Sequence, residues 1–205
     1  MSKRPASLTG TDVAVASAQH PPQAGSHRAR QTAAAQPHAP PAPRKHGLAP
    51  VLARDARVLI LGSFPGEASL AARQYYAHPR NHFWPILGAV LGEPLADLAY
   101  RSRLARIKAH RVGLWDTIVA CERRGSLDGA IRNAERGEIA RVRRAAPGVE
   151  VVCFNGKTAA RAEPRWRAAG YATLVLPSSS PAYTRPLAEK VAAWRAIGAR
   201  AGWTQ

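Results

Sequence analysis

The fold is decided by residues 57–62, which read Arg57-Val58-Leu59-Ile60-Leu61-Gly62. A short apolar run of this kind, without polar alternation and ended by glycine, is typical of a strand that is buried on both faces of a parallel sheet. Three further runs share this character, at residues 112–115, 149–154 and 172–176. We therefore expect a central sheet of four parallel strands.

Helical patterns lie between and after these runs, over residues 82–92, 99–110, 134–145, 156–168 and 186–201. Strands that alternate with helices predict a three-layer α/β/α domain, in which helices cover both faces of the sheet. In such sheets, ligands bind at the carboxyl ends of the strands. Functional residues are therefore expected in the loops at residues 62–82, 116–128, 155–157 and 177–185.

The chain is strongly basic. Its 205 residues include 30 Lys plus Arg, of which 25 are Arg, against 13 Asp plus Glu, for a net charge of +17. Such an excess indicates a polyanionic partner, above all nucleic acid, although a merely solvated surface has the same composition. No apolar stretch approaches the ~20 residues of a membrane span. Two cysteines, Cys121 and Cys153, are too few for a disulfide framework or a four-cysteine zinc site.

Residues 1–46 differ from the rest, with no aromatic residue, 7 of the 17 prolines and 11 alanines. Such a segment cannot bury enough apolar surface to offset its ordering entropy, so we expect a disordered, basic Pro/Ala-rich tail before a domain at residues 47–205. The tail could hold DNA by phosphate attraction or be inert. It lacks a secretory hydrophobic region, which favours a cytoplasmic protein, although its Arg/Ala/Ser content also resembles a transit peptide.

The loop after the first strand is rich in rings and polar groups. It begins Gly62-Ser63-Phe64-Pro65-Gly66 and continues at residues 75–84 with Tyr75-Tyr76-Ala77-His78-Pro79-Arg80-Asn81-His82-Phe83-Trp84. The glycines and proline favour a tight turn whose amides face a ligand. As a set, the side chains suit a pocket that stacks a planar base and hydrogen-bonds its edge. Each ring alone could pack in the core, and Trp84 is expected to do so.

The loop after the last strand reads Pro177-Ser178-Ser179-Ser180-Pro181-Ala182-Tyr183-Thr184-Arg185-Pro186. Its serine hydroxyls and free backbone amides suit contacts with phosphate. Thr184 and Pro186 also fit the N-cap and first turn of the next helix. A cap does not require the triple serine, which favours the phosphate-binding interpretation.

The two loops together resemble the uracil-DNA glycosylase superfamily, and most of all its hypoxanthine-DNA glycosylase branch, the DNA-deoxyinosine glycosylases. The mismatch-specific uracil glycosylases, which share the His-Pro-x-Asn-x-Phe-Trp pattern, are the next most similar. The resemblance covers most of residues 50–200. It implies a four-stranded parallel sheet between helices, cleavage of the N-glycosidic bond of a deaminated base in DNA, and no metal or cofactor.

The resemblance also implies roles for single residues. The superfamily usually carries a catalytic Asp or Asn two residues after the leading glycine of the first loop, where this chain has Phe64. In the hypoxanthine branch the catalytic Asn lies in the Pro-Arg-Asn segment, which maps to Asn81, and Phe83 matches the ring that stacks on the flipped base. Asn81 would orient the attacking water, because an amide is no general base near neutral pH. His78 or His82 could assist the leaving base, or make a loop or cap contact.

The other strand ends carry further candidates for the base pocket. Asp116 stands where relatives carry an Asn that reads the base, so it could accept a hydrogen bond from the N–H of a lactam base, or cap the following turn. Asn155 could line the same pocket. Lys157, after Gly156 at a helix N-terminus, suits a DNA phosphate.

Arginines and one tyrosine complete the set that would hold DNA. Arg123 and Arg124 are expected to contact phosphates, while Tyr183 or Arg185 could fill the gap that the flipped base leaves. Many relatives carry a His in the serine loop, and this chain has none, so the transition-state role of that His cannot be transferred.

We therefore expect a monomeric, monofunctional DNA glycosylase that acts first on hypoxanthine and second on uracil. Alternatives are a uracil- or mismatch-specific glycosylase with little inosine activity, and a non-catalytic lesion binder, which Phe64 would favour. Few lysines lie in the motif loops, which argues against lyase chemistry. The expected site residues are Asn81 for catalysis; Phe64, Tyr76, Phe83, Asp116 and Asn155 for the base; and Gly62, Ser63, Pro65, Gly66, Arg80, Lys157, Ser178, Ser179, Ser180, Tyr183 and Arg185 for DNA.

Overall fold

The computed structural model describes residues 42–202. The strands of this region are β1 (Arg44–His46), β2 (Val58–Gly62), β3 (Val112–Asp116), β4 (Ile118–Glu122), β5 (Arg132–Arg136), β6 (Val151–Asn155) and β7 (Ala172–Leu176). The helices are α1 (Glu67–Ala72), α2 (Phe83–Leu91), α3 (Tyr100–Ala109), α4 (Ile139–Ala145), α5 (Lys157–Ala160), α6 (Glu163–Ala168), α7 (Leu187–Trp194) and α8 (Ala196–Ala201).

Four strands form the expected parallel sheet, in the order β3-β2-β6-β7. Each lies within one or two residues of an apolar run in the sequence, because these runs are long enough to be buried on both faces. Alternate residues of β2 pack into two cores. Val58 and Ile60 belong to one hydrophobic cluster, and Leu59 and Leu61 to the other. Helices α2, α3, α7 and α8 cover the first core and α4 to α6 the second, which confirms the three-layer α/β/α class.

A second sheet, antiparallel and of order β1-β4-β5, was not expected. Strand β1 pairs with β4 through Arg44 opposite Glu122, so the folded chain begins before the boundary predicted at residue 47. The rest of the predicted tail, up to residue 41, lies outside the described residues. Strand β5 is exposed along its whole length and takes the first part of the helix predicted at 134–145. Helix α4 begins only at Ile139.

Two predicted helices are each divided. The pattern at 156–168 forms α5 and α6, with Pro164 in the first turn of α6, where proline is tolerated. The pattern at 186–201 forms α7 and α8. Pro186, rather than Thr184, precedes the first residue of α7, so the predicted threonine cap is wrong. No helix among residues 42–202 is long and apolar enough to cross a membrane.

The register of the parallel sheet brings the strand ends together. Gly62 at the end of β2 lies beside Asp116 at the end of β3. On the other side of β2, Leu61 is paired with Phe154, the residue before Asn155, and Asn155 is paired with Leu176. The loops that the sequence singled out therefore leave the sheet side by side, at the edge where parallel sheets bind ligands.

Candidate active site

A cavity of about 610 Å³ opens at this edge of the sheet. Its volume lies within the range of about 300 to 1,000 Å³ that is usual for small-molecule sites. Residues from four separate loops line it, which confirms that the strand ends converge on one site. Among the lining residues are Gly62, Ser63, Phe64, Pro65, Gly66, Tyr76, His78, Asn81, Asp116, Leu127, Asp128, Asn155, Ser178, Ser179, Ser180 and Tyr183.

Asp116 is a buried acid in the wall of this cavity, and only 4% of its surface is exposed. Its Oδ2 atom finds no hydrogen-bond partner among the described residues. A Cβ atom on Gly62 would overlap Asp116 Oδ1, so glycine is required there to admit the carboxyl group. Strand β4 begins two residues later and no helix follows, so the alternative in which Asp116 caps a turn is wrong.

Its surroundings favour the neutral form of the Asp116 carboxyl group. Burial, followed by the negative charge of Asp128, raises its pKa from 3.8 to about 8, while Arg123 opposes the shift. A neutral carboxyl group has one O–H donor and retains its carbonyl acceptor. Asp116 can therefore both give and receive a hydrogen bond at the edge of a bound ligand.

Asn155 is locked in one orientation by Ser179. The Ser179 backbone N–H donates to Asn155 Oδ1 at 2.8 Å, and Asn155 Nδ2 donates to Ser179 Oγ at 2.9 Å. This exchange assigns the oxygen and nitrogen of the amide and leaves one N–H for a ligand. Asn155 is thus a fixed donor in the cavity wall, where the sequence analysis placed it.

Phe83 does not have the role that the sequence analysis gave it. It is fully buried in the core beneath α2, and it is not among the residues that line the cavity. The Tyr76 ring covers it in a parallel stack, with the centroids 3.6 Å apart and the planes 9° apart. Tyr76 therefore presents the ring that a flipped base can reach. Its φ of 55° is a strained conformation for a non-glycine residue. Trp84 is buried, as expected.

A second ring, that of Phe64, lines the cavity from the first loop. The Arg123 guanidinium lies 4.8 Å from its centroid and donates to the Pro65 carbonyl oxygen. Arg123 is fully buried, so the expected phosphate contact of this arginine is wrong. Its Nε and Nη1 atoms find no hydrogen-bond partner within residues 42–202. Arg123 instead packs against the Phe64 ring and stabilises the loop that carries it.

Asn81 lies at the cavity wall just before α2. The backbone N–H of Phe83 donates to its Oδ1 atom at 2.9 Å, which fixes the side chain. His78 also lines the cavity, and its Nδ1 accepts a hydrogen bond from the Arg80 backbone N–H at 3.1 Å. When the imidazole is neutral, this contact leaves the proton on Nε2. His82 is not among the lining residues; its Nδ1 lies 3.4 Å from Lys190 Nζ.

The expected DNA-binding residues divide into two groups. Serines 178 to 180, Tyr183 and residues 62–66 line the cavity. Arg80, Lys157 and Arg185 lie on the exposed surface and do not line it. Arg185 forms an ion pair with Glu189 at 3.2 Å. The Tyr183 ring is held by Lys190, whose Nζ lies 5.3 Å from the ring centroid and donates to the Tyr183 carbonyl oxygen.

Two residues that sequence reasoning missed lie in the loop between β4 and β5. Asp128 accepts hydrogen bonds from Ser63 Oγ, 65 residues earlier in the chain, at 2.8 and 2.9 Å. Leu127 lies beside it with 68% of its surface exposed. Both line the cavity. Sequence reasoning missed them because no local pattern indicates how this loop folds back onto a distant turn.

Aromatic rings, a buried acid and a locked amide meet in one cavity at the carboxyl edge of the parallel sheet. The protein is therefore an α/β protein whose cavity has the size and the groups that suit a planar heterocycle. Among residues 42–202, no three His, Cys, Asp or Glu side chains are grouped so that they could hold a metal ion.

The chain belongs to the uracil DNA glycosylase superfamily, whose family model matches residues 49–198. It is 40% identical over 151 residues to a protein of Methanosarcina barkeri named hypoxanthine DNA glycosylase, with 74% of this chain and 96% of that protein covered. A protein of Methanosarcina acetivorans with the same name is 40% identical over 153 residues, which are 75% of this chain and 97% of that protein. An NMR structure from M. acetivorans, described as that of a candidate uracil DNA glycosylase, superimposes with a TM-score of 0.71 at 38% identity and covers 78% of this chain and 99% of that one.

Proposed function

We propose that this protein is a DNA glycosylase that flips hypoxanthine out of DNA and hydrolyses its N-glycosidic bond, leaving an abasic site. Membership of the uracil DNA glycosylase superfamily and the two relatives named hypoxanthine DNA glycosylase support the class of reaction and the base. The protein acts as a monomer, without a metal or cofactor.

The observation that carries this proposal is the pairing of a neutral acid with a locked donor in one cavity. Deamination of adenine replaces its amino group by a carbonyl and places a proton on the neighbouring ring nitrogen. The Asp116 carbonyl can accept from this N–H. The Asp116 O–H and the free N–H of Asn155 can both donate to the new carbonyl oxygen, which has two lone pairs. In adenine the amino group takes the place of this carbonyl. It is a hydrogen-bond donor and would face the donor of Asn155, so the site selects against the undamaged base.

The rings bind the faces of the same base. Phe64 and Tyr76 both line the cavity, and each already rests on a second group, Arg123 in one case and Phe83 in the other. The rings therefore do not have to be ordered when the base enters, which lowers the cost of binding. Stacking on aromatic rings contributes about 1 to 3 kcal/mol per base and tolerates different bases. Hypoxanthine, uracil and xanthine all have a lactam edge. Neither stacking on the rings nor hydrogen bonds to this edge alone therefore distinguish the three bases.

The chemical step is a displacement at the anomeric carbon. The bond between C1′ and the base breaks, its electron pair remains on the base, and positive charge develops on the sugar. Asn81 holds the attacking water, because its side chain is already fixed by Phe83 and its amide can accept a further hydrogen bond from water. His78 presents its Nε2–H to the leaving base, whose negative charge this donor stabilises.

Two apolar side chains at the rim of the cavity can fill the gap in the duplex. Leu127 is 68% exposed and Tyr183 is 37% exposed, and they project from different loops. Arg185, the alternative, is paired with Glu189. We expect Leu127→Ala and Tyr183→Ala each to slow excision from double-stranded DNA by about 10-fold, because unstacking costs a few kcal/mol. Single-turnover rates on single-stranded DNA should change less, and equal losses on both substrates would contradict this role.

The proposed activity is tested with labelled duplexes that carry hypoxanthine, uracil, xanthine or, as the control, adenine. We expect alkali-labile sites first at hypoxanthine and none at adenine. A gel shift on hypoxanthine DNA without cleavage would identify a lesion-binding protein instead. Cleavage of uracil alone would assign the protein to a uracil-specific function. Cleavage of DNA should fall steeply as the salt concentration rises, because exposed arginines contact its phosphates. A free nucleoside has no phosphate chain, so an enzyme that acts on nucleosides would show no such salt dependence.

A further inference from the structure

The loop between β4 and β5 brings a carboxylate into the cavity. Asp128 begins a single turn of 3-10 helix (Asp128–Ala130) and is half-buried at the cavity wall. The Ser63 hydroxyl lies 2.8 Å from one of its oxygens and 2.9 Å from the other. A single O–H is therefore shared between both oxygens, which fixes the plane of the carboxylate and leaves its remaining lone pairs for other donors.

Asp128 and Asp116 line the same cavity but have different surroundings. The charge of Asp128 is the second cause of the raised pKa of Asp116, so the two carboxyl groups are close enough to interact. Asp116 is buried, and one of its oxygens has no hydrogen-bond partner within residues 42–202, whereas Asp128 is half-buried and accepts hydrogen bonds from a hydroxyl. Environments that separate two acids in this way commonly separate their chemical roles.

We propose that Asp128 is a catalytic carboxylate that faces the sugar of the flipped nucleotide, while Asp116 holds the base. This inference rests on the proposed glycosylase function. The carboxylate stabilises the positive charge that develops on the sugar ring as the glycosidic bond breaks. It then takes a proton from the water that attacks C1′, which Asn81, as an amide, cannot do.

The step balances without any further reactant. The glycosidic bond breaks and its electron pair leaves with the base, while the water oxygen forms a bond to C1′. One water proton moves to the Asp128 carboxylate and the other remains as the new hydroxyl of the sugar. The departing base gains one proton from solvent, and Asp128 later returns its own proton to solvent.

The Asp128→Asn variant tests the proposal, because the amide keeps an acceptor for Ser63 and has almost the same size. We expect the single-turnover rate of hypoxanthine excision to fall by about 10²- to 10⁴-fold. Affinity for the same duplex should change by less than about 3-fold, since Asp128 stabilises charge that exists only in the transition state. Asp97→Asn is the matched control, because Asp97 is an exposed acid that does not line the cavity, and it should excise at the wild-type rate.

A second readout tests whether the charge of Asp128 acts on Asp116 in the cavity. The groups that influence the Asp116 carboxyl group are Asp128 and Arg123, and it lies near the Tyr75 and Tyr76 hydroxyls. Loss of the Asp128 charge lowers the pKa of Asp116, so the residual activity of Asp128→Asn should decline at a lower pH than that of the wild type. A decline at the wild-type pH would contradict the interaction between the two carboxyl groups on which the proposal draws.

Ser63→Ala provides a further variant if Asp128→Asn does not fold. It frees the carboxylate from its fixed plane, and we expect excision to slow by about 10-fold. An Asp128→Asn variant that excises at the wild-type rate would overturn the proposal. If Asp128→Asn does not fold, a folded Ser63→Ala with the wild-type rate would do the same. In both cases the proposed glycosylase function would still stand. If the wild type itself cleaves none of the damaged duplexes, the proposed function fails first.

Discussion

The Asn81→Ala variant is expected to lose excision of hypoxanthine by about 10²- to 10³-fold while it still binds the damaged duplex. The Asn81 side chain is fixed by the Phe83 backbone N–H at the wall of the cavity, so it can hold water in one place without further ordering. Removal of the amide leaves the water to diffuse, and the encounter with C1′ becomes rare. Single-turnover kinetics at saturating enzyme measure the chemical step separately from binding.

Two comparisons make the Asn81 result specific. Asn81→Asp keeps an acceptor for both Phe83 and the water, so it should retain more activity than Asn81→Ala. Gln74→Ala removes another carboxamide of the same loop that does not line the cavity, and its excision rate should equal that of the wild type. Loss of the contact with Phe83 should cost about 1 kcal/mol of stability in Asn81→Ala. Full excision by a folded Asn81→Ala would remove Asn81 from the mechanism.

The second large effect concerns Asp116 and pH. Its pKa of about 8 means that the wild type should lose activity as the pH rises through about 8, because the ionised carboxyl group can no longer donate and repels the base carbonyl. Asp116→Asn restores a donor and an acceptor that do not titrate. It should excise hypoxanthine at near the wild-type rate at neutral pH and stay active above pH 8. Asp116→Ala should lose about 10- to 100-fold at every pH.

The same residue should limit stability. In the unfolded chain Asp116 ionises near pH 3.8, but in the folded protein only near pH 8, so the folded state binds the extra proton between these values. The free energy of unfolding therefore falls as pH rises from about 4 to about 8. Asp116→Asn removes this loss, and denaturant titrations should show it to be more stable by roughly 2 to 5 kcal/mol at pH 8 but not near pH 4. If Asp116→Asn and the wild type differed equally in stability at both pH values, or had the same dependence of activity on pH, the raised pKa of Asp116 would be contradicted.

Much of the fold could be predicted because its central strands are continuous apolar runs. The second sheet could not, because β5 reads Arg132-Asn133-Ala134-Glu135-Arg136 and is exposed throughout, so no hydrophobic alternation marks it as a strand. Strand β1 lies at the end of a Pro/Ala-rich segment, and only its pairing with β4 makes it a strand. These elements depend on partners that are remote in the sequence.

The candidate site, like the fold, could be predicted from the sequence only in part. The rule that ligands bind at strand ends located Gly62, Asp116 and Asn155 correctly in one cavity. Phe83 was misjudged because a ring at the start of a helix can face the core or the cavity, and only the position of Tyr76 over it decides between them. Asp128 was not assigned because its contact with Ser63 spans 65 residues of the chain. Arg123 is fully buried, but nothing in the sequence distinguishes it from an arginine on the surface.

The most direct test of the account is the structure of Asn81→Ala bound to a duplex that contains a single hypoxanthine. We predict that the base lies outside the helix, stacked on Phe64 or Tyr76, with its lactam edge about 3 Å from the Asp116 carboxyl group and the free Asn155 N–H. A base that stays stacked in the duplex, or that enters the protein with its sugar edge toward Asp116, would contradict it.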